Sequence, residues 1–309
     1  MRIVRSIEAN KRFSALRCAA LVGACSLLVA FCLLDSAGGT LPGRNGRLYF
    51  TVSPGGFGAQ ISWIDVNRPR KVHVVRWLAA AAELAWAPGG KRLVYSTPTG
   101  LFVANADGSA RRRLTTVKRD SGTIDVDPAW SPDGKWIAFT HLVPMRPAIF
   151  LMRPDGANRH KLTAGQVPSW SPRGHELVFQ GGDVNQPHLY LIAQNGSRRR
   201  QITRSSGSDN LPDWSPDGKR ILFVSDRDGN EELYLVHATG ARPRRLTRNP
   251  AYDTTPAWSP DGRWIVFAEG HNRRDFALYL VRPDGTAKRR LTPPGVDAQV
   301  PSWQPLPKG

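Results

Sequence analysis

The chain has 309 residues, 40% of them hydrophobic, and a formal net charge of +18 from 43 Lys/Arg against 25 Asp/Glu. That is enough apolar material for a large core, and the charge bears on partners and solubility rather than fold, with anionic surfaces, polysaccharides or acidic proteins as natural candidates. All three cysteines, Cys18, Cys25 and Cys32, lie near the N-terminus, which excludes a disulfide framework or a cysteine metal site in the rest of the chain.

In chain order, residues 1–17 carry Arg2, Arg5, Lys11, Arg12 and Arg17 against Glu8, and residues 18–34 are apolar or small. A basic region followed by a hydrophobic run is an export address. Its 17 apolar residues are long for a cleaved signal and short for a membrane-spanning helix. Residues 1–39 are therefore expected to be a signal peptide or an N-terminal membrane anchor. Either role leaves the basic flank in the cytoplasm and sends the remainder across the membrane. The product is then periplasmic, extracellular or membrane-anchored, and residues 18–34 are its membrane contact if they are retained.

From residue 43 onward the sequence repeats. Trp86, Trp130, Trp170, Trp214, Trp258 and Trp303 recur at intervals of 40 to 45 residues. Trp130, Trp214 and Trp258 are each followed by Ser-Pro-Asp-Gly, Trp170 by Ser-Pro-Arg-Gly and Trp86 by Ala-Pro-Gly-Gly. A period of this length marks stacked or radially arranged supersecondary units. Within one unit, Pro128–Trp130 predicts a short strand and Ser131–Gly134 a turn, with Pro fixing φ and Gly supplying a positive φ. Lys135–Thr140 and Ile149–Met152 read as apolar strands, Pro154–Gly156 as a second turn, and His160–Thr163 as a short fourth strand. Central strands that are apolar throughout belong to sheets covered on both faces.

The count is six, with an offset at the ends. The first unit opens at Asn45-Gly46 with no tryptophan strand before it, and the Pro301–Pro305 strand has nothing after it. The two halves complete one another if the C-terminal strand joins the N-terminal hairpin. The expectation is an all-β fold, a six-bladed β-propeller over residues 43–309 with four-stranded antiparallel blades and a closed ring.

The residues Pro-Ala-Trp-Ser-Pro-Asp-Gly-Lys-x-Ile-x-Phe, then Leu-Tyr-Leu, Asp-Gly and Arg-Arg-Leu-Thr, resemble the TolB-type propeller repeat, and the resemblance covers residues 43–309. It implies the propeller fold. Such repeats occur in periplasmic scaffolds, in the gating domains of prolyl-peptidase-like enzymes and in other exported proteins. TolB itself carries an α/β domain before its propeller, whereas about 42 residues precede the first blade here. Peptidase relatives carry a hydrolase domain after theirs, and this sequence ends at Gly309. The expectation is an isolated, monomeric propeller.

Catalytic motifs are scarce. There is no Gly-x-Ser-x-Gly elbow, His-Glu-x-x-His or phosphate loop. The histidines at 73, 141, 160, 175, 188, 237 and 271 share no repeat phase. Ser225–Asn230 has calcium-loop composition, but its glycine comes too early, and it reads as a turn between the second and third strands of a blade. No cofactor is expected.

Two charge patterns keep the repeat phase. Asp125, Asp209 and Asp253 lie five residues before a tryptophan, Asp297 six before, and Asp127 and Glu83 three before. Placed on connections into the innermost strands, they would ring one channel mouth. There they would either cap turns and bond backbone or bind a cation or a basic partner segment. Arg111–Arg113, Arg198–Arg200, Arg244-Arg245 and Arg289-Arg290 fall on the outermost strand, with Arg159–Lys161 as a variant. Charges there block edge-to-edge pairing, or form a basic perimeter toward anionic lipid or cell-wall polymer. Without aromatic interleaving, they do not suggest nucleic acid.

The function expected is an exported, non-catalytic scaffold at the cell envelope that binds a protein or an envelope polymer. Its binding loops would be those before each tryptophan together with Leu142–Pro147, Gly181–Pro187, Asp226–Glu231 and Gly270–Asp275. The alternative is a metal-assisted, lactonase-like hydrolase using the channel-mouth carboxylates.

Overall fold

The computed structural model describes residues 40–52, 59–69, 71–117, 122–271 and 275–307. The expected signal peptide or anchor at 1–39 and residues 272–274 of one expected binding loop lie outside them. Among the described residues no helix is long and apolar enough to cross a membrane.

Six four-stranded antiparallel sheets form the blades of a propeller. Blade 1 holds β1 (Arg44–Val52), β2 (Gln60–Ile64) and β3 (His73–Val74). Blade 2 holds β4 (Leu84–Trp86), β5 (Arg92–Thr97), β6 (Gly100–Asn105) and β7 (Arg112–Arg113). Blade 3 holds β8 (Ile124–Trp130), β9 (Ile137–Leu142), β10 (Ala148–Met152) and β11 (His160–Ala164). Blade 4 holds β12 (Gln166–Trp170), β13 (Glu176–Asp183), β14 (Gln186–Ala193) and β15 (Arg200–Gln201). Blade 5 holds β16 (Asp209–Trp214), β17 (Arg220–Ser225), β18 (Glu232–His237) and β19 (Arg244–Arg245). Blade 6 holds β20 (Tyr252–Trp258), β21 (Ile265–Gly270), β22 (Ala277–Val281) and β23 (Arg289–Arg290). The last strand, β24 (Ala298–Leu306), pairs with β1 and completes blade 1, with Leu48 opposite Trp303 and Arg44 opposite Leu306.

Each tryptophan lies on an innermost strand, at its end in every blade but blade 1, and faces the preceding blade. Trp130 packs with Ala85, Val94 and Val103 of blade 2 as well as with Ile137 and Phe139 of its own blade. Trp258 packs with Leu222 and Leu235 of blade 5, and Trp303 with Val266 and Leu278 of blade 6. The six hydrophobic clusters are thus six interblade cores. This explains the apolar central strands, because both faces of a blade are covered by neighbours.

The Ser-Pro-Asp-Gly turns are built from their own side chains. Ser131 Oγ accepts from the Trp136 amide at 2.9 Å and donates to Asp133 Oδ1 at 2.6 Å, which also accepts from the Lys135 amide at 3.0 Å. Gly134 closes the turn at φ 70°. Ser215 with Asp217, and Ser259 with Asp261, repeat the arrangement. The Leu-Thr ending of the fourth strand has its own cause. Thr115, Thr203, Thr247 and Thr292 each accept from an amide at the start of the third strand, at 2.9–3.0 Å.

The innermost strands run longer than Pro128–Trp130 suggests, because a bulge interrupts them without ending them. Asp127, Val167, Leu211, Thr255 and Val300, each three residues before a tryptophan, have φ between 44° and 53°, and the register shifts there. A left-handed non-glycine residue costs roughly 1–2 kcal/mol. The reoriented amide reaches the preceding blade. Asp127 N donates to Glu83 Oε2 at 2.8 Å, Val167 N to Thr140 Oγ1 at 2.9 Å, Leu211 N to Gln180 Oε1 at 3.1 Å and Val300 N to Thr255 Oγ1 at 3.3 Å. Each of the five is followed by proline, which has no amide to lose from the ladder. Blade 2 has Leu84 at the proline position, and Glu83 before it is not left-handed.

Outer-strand arginines tie blades together. Arg112 donates to the Pro154 and Asp155 carbonyls at 2.9 and 3.1 Å, and Arg200 to those of Ala238 and Thr239 at 3.2 and 3.4 Å. Arg244 bonds the Pro283 and Asp284 carbonyls, and Arg289 reaches that of Val66 at 3.4 Å. The expected basic perimeter is thus partly committed to the next blade's turn.

Ring closure by β24 leads to a prediction. Trp303→Ala removes a ring from the core between blades 6 and 1 and should cost about 3–5 kcal/mol. Deleting residues 301–309 should abolish the single cooperative thermal transition. An unchanged cooperative melt of that truncation would contradict closure.

Candidate functional site

Antiparallel pairing sorts the connections onto two faces. The connections into each innermost strand and the loops between second and third strands share one end of the channel, here the loop face. The Ser-Pro-Asp-Gly turns and the turns between third and fourth strands share the other, the turn face.

Asp125 and Asp253 lie within β8 and β20, and Asp209 opens β16, rather than sitting on the connections before them. All three are fully buried. Most of their partners belong to their own blades, with His188 of blade 4 reaching Asp209 of blade 5. Asp125 Oδ1 is hydrogen-bonded to His141 Nδ1 at 2.6 Å and lies 3.5 Å from Arg159. Asp209 accepts from Arg227 at 2.6 Å, Ser225 at 2.8 Å and Ser205 at 3.1 Å, with His188 Nδ1 at 3.2 Å. Asp127 is buried at the bulge. Asp297 lies just before β24 and accepts from the Phe276 amide at 3.1 Å, with burial raising its pKa. His141 and His188, without a shared repeat phase, both end on inner-strand aspartates. Ser225–Asn230 forms the expected turn between β17 and β18.

The cations that meet these acids also lie over aromatic pairs. Arg159 sits 5.2 and 5.1 Å from the Phe139 and Phe150 ring centres, and Arg227 sits 5.4 and 4.7 Å from those of Phe223 and Tyr234. In blade 6, Lys288 covers Phe267 and Tyr279 and pairs with Glu269. Carboxylate, cation and aromatic pair form a stack repeated in blades 3, 5 and 6 that fixes their loop-face ends.

Asp253 is the member without a cation of its own. It accepts from Asn249 Nδ2 at 2.9 Å, and its other oxygen has no partner. Burial pushes its pKa up to about 8; the Thr247 hydroxyl opposes the rise, Glu269 and Glu232 add to it, and Lys288 opposes it. Among the described residues, no group of three His, Cys, Asp or Glu side chains has a geometry that could hold a metal ion.

The loop face also presents apolar side chains to solvent. Met145 is 52% exposed on the loop after β9, Val184 38% at the tip of the β13–β14 hairpin, and Tyr252 45% at the start of β20. That hairpin is longer than expected: Asp183 still pairs with Gln186, so most of Gly181–Pro187 is strand.

The turn face has a plugged mouth. Thr40 donates to Asp213 through its amide at 2.9 Å and its hydroxyl at 2.7 Å, and the hydroxyl also contacts the Trp258 carbonyl at 3.0 Å. Leu41 packs with Ala85, Ala87 and Trp130 on the opposite side of the ring, and Gly43 N donates to the Pro260 carbonyl at 3.1 Å. The segment therefore crosses the channel at its tryptophan end. Asp213 also accepts from Trp258 N at 2.8 Å and Ser169 Oγ at 3.4 Å, and burial raises its pKa to about 6 against these donors. Sequence reasoning missed it. The signal was a lone carboxylate one residue before Trp214, where other blades have Ala85, Ala129, Ser169, Ala257 and Ser302.

Comparison with known proteins agrees with this architecture. Residues 164–307 match the TolB beta propeller domain family. Dipeptidyl-peptidase 5 of Porphyromonas endodontalis is 31% identical over 96 residues, 28% of this chain and 13% of that protein. The Tol-Pal system protein TolB of Hahella chejuensis is 42% identical over 64 residues, 21% of this chain and 14% of that protein. These matches cover a small fraction of the relatives' lengths. A solved structure assigned as TolB, from Agrobacterium tumefaciens, superposes with TM-score 0.66 at 24% identity, covering 82% of this chain and 91% of that one. An oligogalacturonate lyase in complex with manganese superposes with TM-score 0.52 at 14% identity, covering 82% and 74%. At these identities, the two structures show a shared fold.

Asp253 gives a test of the loop-face electrostatics. Its folded-state pKa, about 8, lies above the unfolded value of about 3.9. Its contribution therefore favours the fold at low pH and is lost as pH rises from about 4 through about 8. Asp253→Asn should flatten the pH dependence of the melting temperature across that window and raise stability above it. A variant that loses stability in parallel with the wild type would show that Asp253 is not the titrating group.

Proposed function

We propose that this TolB-like six-bladed propeller is an exported, non-catalytic scaffold of the cell envelope that binds a protein partner through its loop face. The observation that carries the reading is the exposure of Met145, Val184 and Tyr252 on that one face. Exposed apolar side chains amid polar loops on a rigid frame suit a protein interface. The inner carboxylates support the same reading by a different route. Asp125 and Asp209 are occupied by cations of their own blades, which makes them braces for the loops.

The similarity of short segments to TolB and the basic-then-apolar N-terminal sequence favour an envelope location. The fold shared with a manganese-bound lyase keeps a second reading in view, a metal-assisted hydrolase working from Asp125, Asp209 and Asp253.

Photocrosslinking residues placed at 145, 184 and 252 separate these readings in the intact envelope of the native host. The scaffold reading expects a discrete protein adduct from loop-face positions and none from position 157 on the turn face. With the crosslinker at one of the three positions, replacing the other two residues by Glu should abolish the adduct without changing the melt. Adducts that are absent, or equal from both faces, would contradict it. A stoichiometric divalent ion lost on substituting Asp209 or Asp253 would favour the hydrolase.

A further inference from the structure

The turn face carries two clusters of unpaired cations on opposite sides of the ring. Between blades 2 and 3, Arg92, Arg112, Lys135 and Arg153 line a cleft of about 590 Å³ with Asp155 as the one carboxylate. The fold sets their positions. Arg92 opens β5 and Arg112 opens β7, while Lys135 follows the Ser-Pro-Asp-Gly turn of blade 3 and Arg153 follows β10. Three of the four guanidinium or ammonium groups are held in place by neutral partners. Arg112 is fixed by the Pro154 and Asp155 carbonyls, Arg153 lies 4.1 Å from the Trp136 ring centre, and Arg92 lies 5.6 Å from that of Trp130. Asp155 is turned to its own loop, where Oδ1 accepts from Ala157 N at 2.9 Å.

Between blades 5 and 6 the same four repeat positions hold Arg220, Arg244, Arg263 and Arg282. Arg244 bonds the Pro283 and Asp284 carbonyls, while Arg220 and Arg282 lie 5.0 and 5.5 Å from the Trp258 and Trp264 ring centres. None of the eight cations has an ion-pair partner among the described residues. The other blade junctions break the set, for example with Glu176 and His237 between blades 4 and 5.

The path of the chain adds a second, independent observation. Thr40–Gly43 fills the turn-face mouth, so the preceding sequence meets the propeller at that face. Residues 35–39 alone separate it from the apolar run 18–34. Five residues span at most about 18 Å in any conformation, roughly two Debye lengths at physiological salt.

We propose that the turn face is a bilayer-apposed surface whose two opposed cation clusters bind the phosphate groups of anionic lipids, with the loop face turned away from the membrane. Two sites on opposite sides of one face suit an extended, flat array of phosphates better than a single small ligand. Arginine forks and a lysine point charge are the side chains that phosphate recognition uses. The proposal rests on residues 18–34 entering a bilayer and not on the identity of any loop-face partner.

Co-flotation of the full chain tests it, with vesicles of phosphatidylcholine alone and of phosphatidylcholine containing phosphatidylglycerol, at low and high salt. The wild-type chain should prefer the anionic vesicles, and salt should weaken that preference. Lys135→Gln with Arg263→Gln, one exposed charge from each cluster, should reduce the preference about thirtyfold. The control is Arg146→Gln with Arg248→Gln, which removes the same charge from exposed loop-face positions and should change it little. Equal losses in the two double variants would assign the effect to net charge and overturn the proposal, as would equal binding to both vesicle types. Binding of soluble polyphosphate without binding of anionic vesicles would overturn the bilayer assignment in favour of free phosphate chains. Loop-face crosslinking, measured on the Lys135→Gln, Arg263→Gln variant, would be unaffected in each case.

Discussion

Every core in this molecule is shared between two blades. Trp130 belongs by chain to blade 3 and by packing also to blade 2, and Trp303 in the same way joins blade 1 to blade 6. Burying one tryptophan is worth at most about 4–6 kcal/mol, and no blade obtains it alone. A four-stranded sheet with two apolar faces has to have both of them covered by other layers. The ring must close, and closing it requires the two ends of the described chain in one blade, β24 beside β1.

The same constraint decides where strain is kept and how charge is distributed. Interblade contact near the channel is made by amides turned out of the innermost strands at four of the five left-handed residues, and proline follows each of the five. At the periphery it is made by Arg112, Arg200, Arg244 and Arg289, which hold carbonyls of the next blade. On the loop face, Asp125 and Asp209 are met by Arg159 and Arg227, which also cover aromatic pairs, while Asp253 has no cation of its own. On the turn face, the aspartates of the Ser-Pro-Asp-Gly sequences are taken up by turn hydrogen bonds, and arginine is satisfied by neutral carbonyls and rings. The two turn-face clusters therefore keep cations without ionic partners among the described residues.

The fold was legible in the sequence because it is written six times. Tryptophan spacing, turn residues and the offset at the two ends determine blade count and closure, and the structure agrees with each. The aspartates were harder to place. Asp125 and Asp253 look like loop residues when the inner strand is taken to begin at the proline, yet a bulge carries the strand past Pro128 and Pro256. Proline inside a strand was itself the available signal, since it marks edges and bulges. The outer arginines follow a repeat phase that names their strand but not the carbonyls they reach, which lie about 40 residues onward. Asp213 stands out only as a lone carboxylate before Trp214, and nothing local links it to Thr40, 173 residues away, because their contact exists only once the ring is closed.

Native-state hydrogen exchange tests the shared-core account most directly. If all six cores depend on closure, the innermost amides of β24 and β1 should open with the same free energy as those of β12 and β16, in one global transition. Separate, easier exchange of β24 while the other blades stay protected would contradict it, because blade 1 would then be an appendage to five blades that are stable without it.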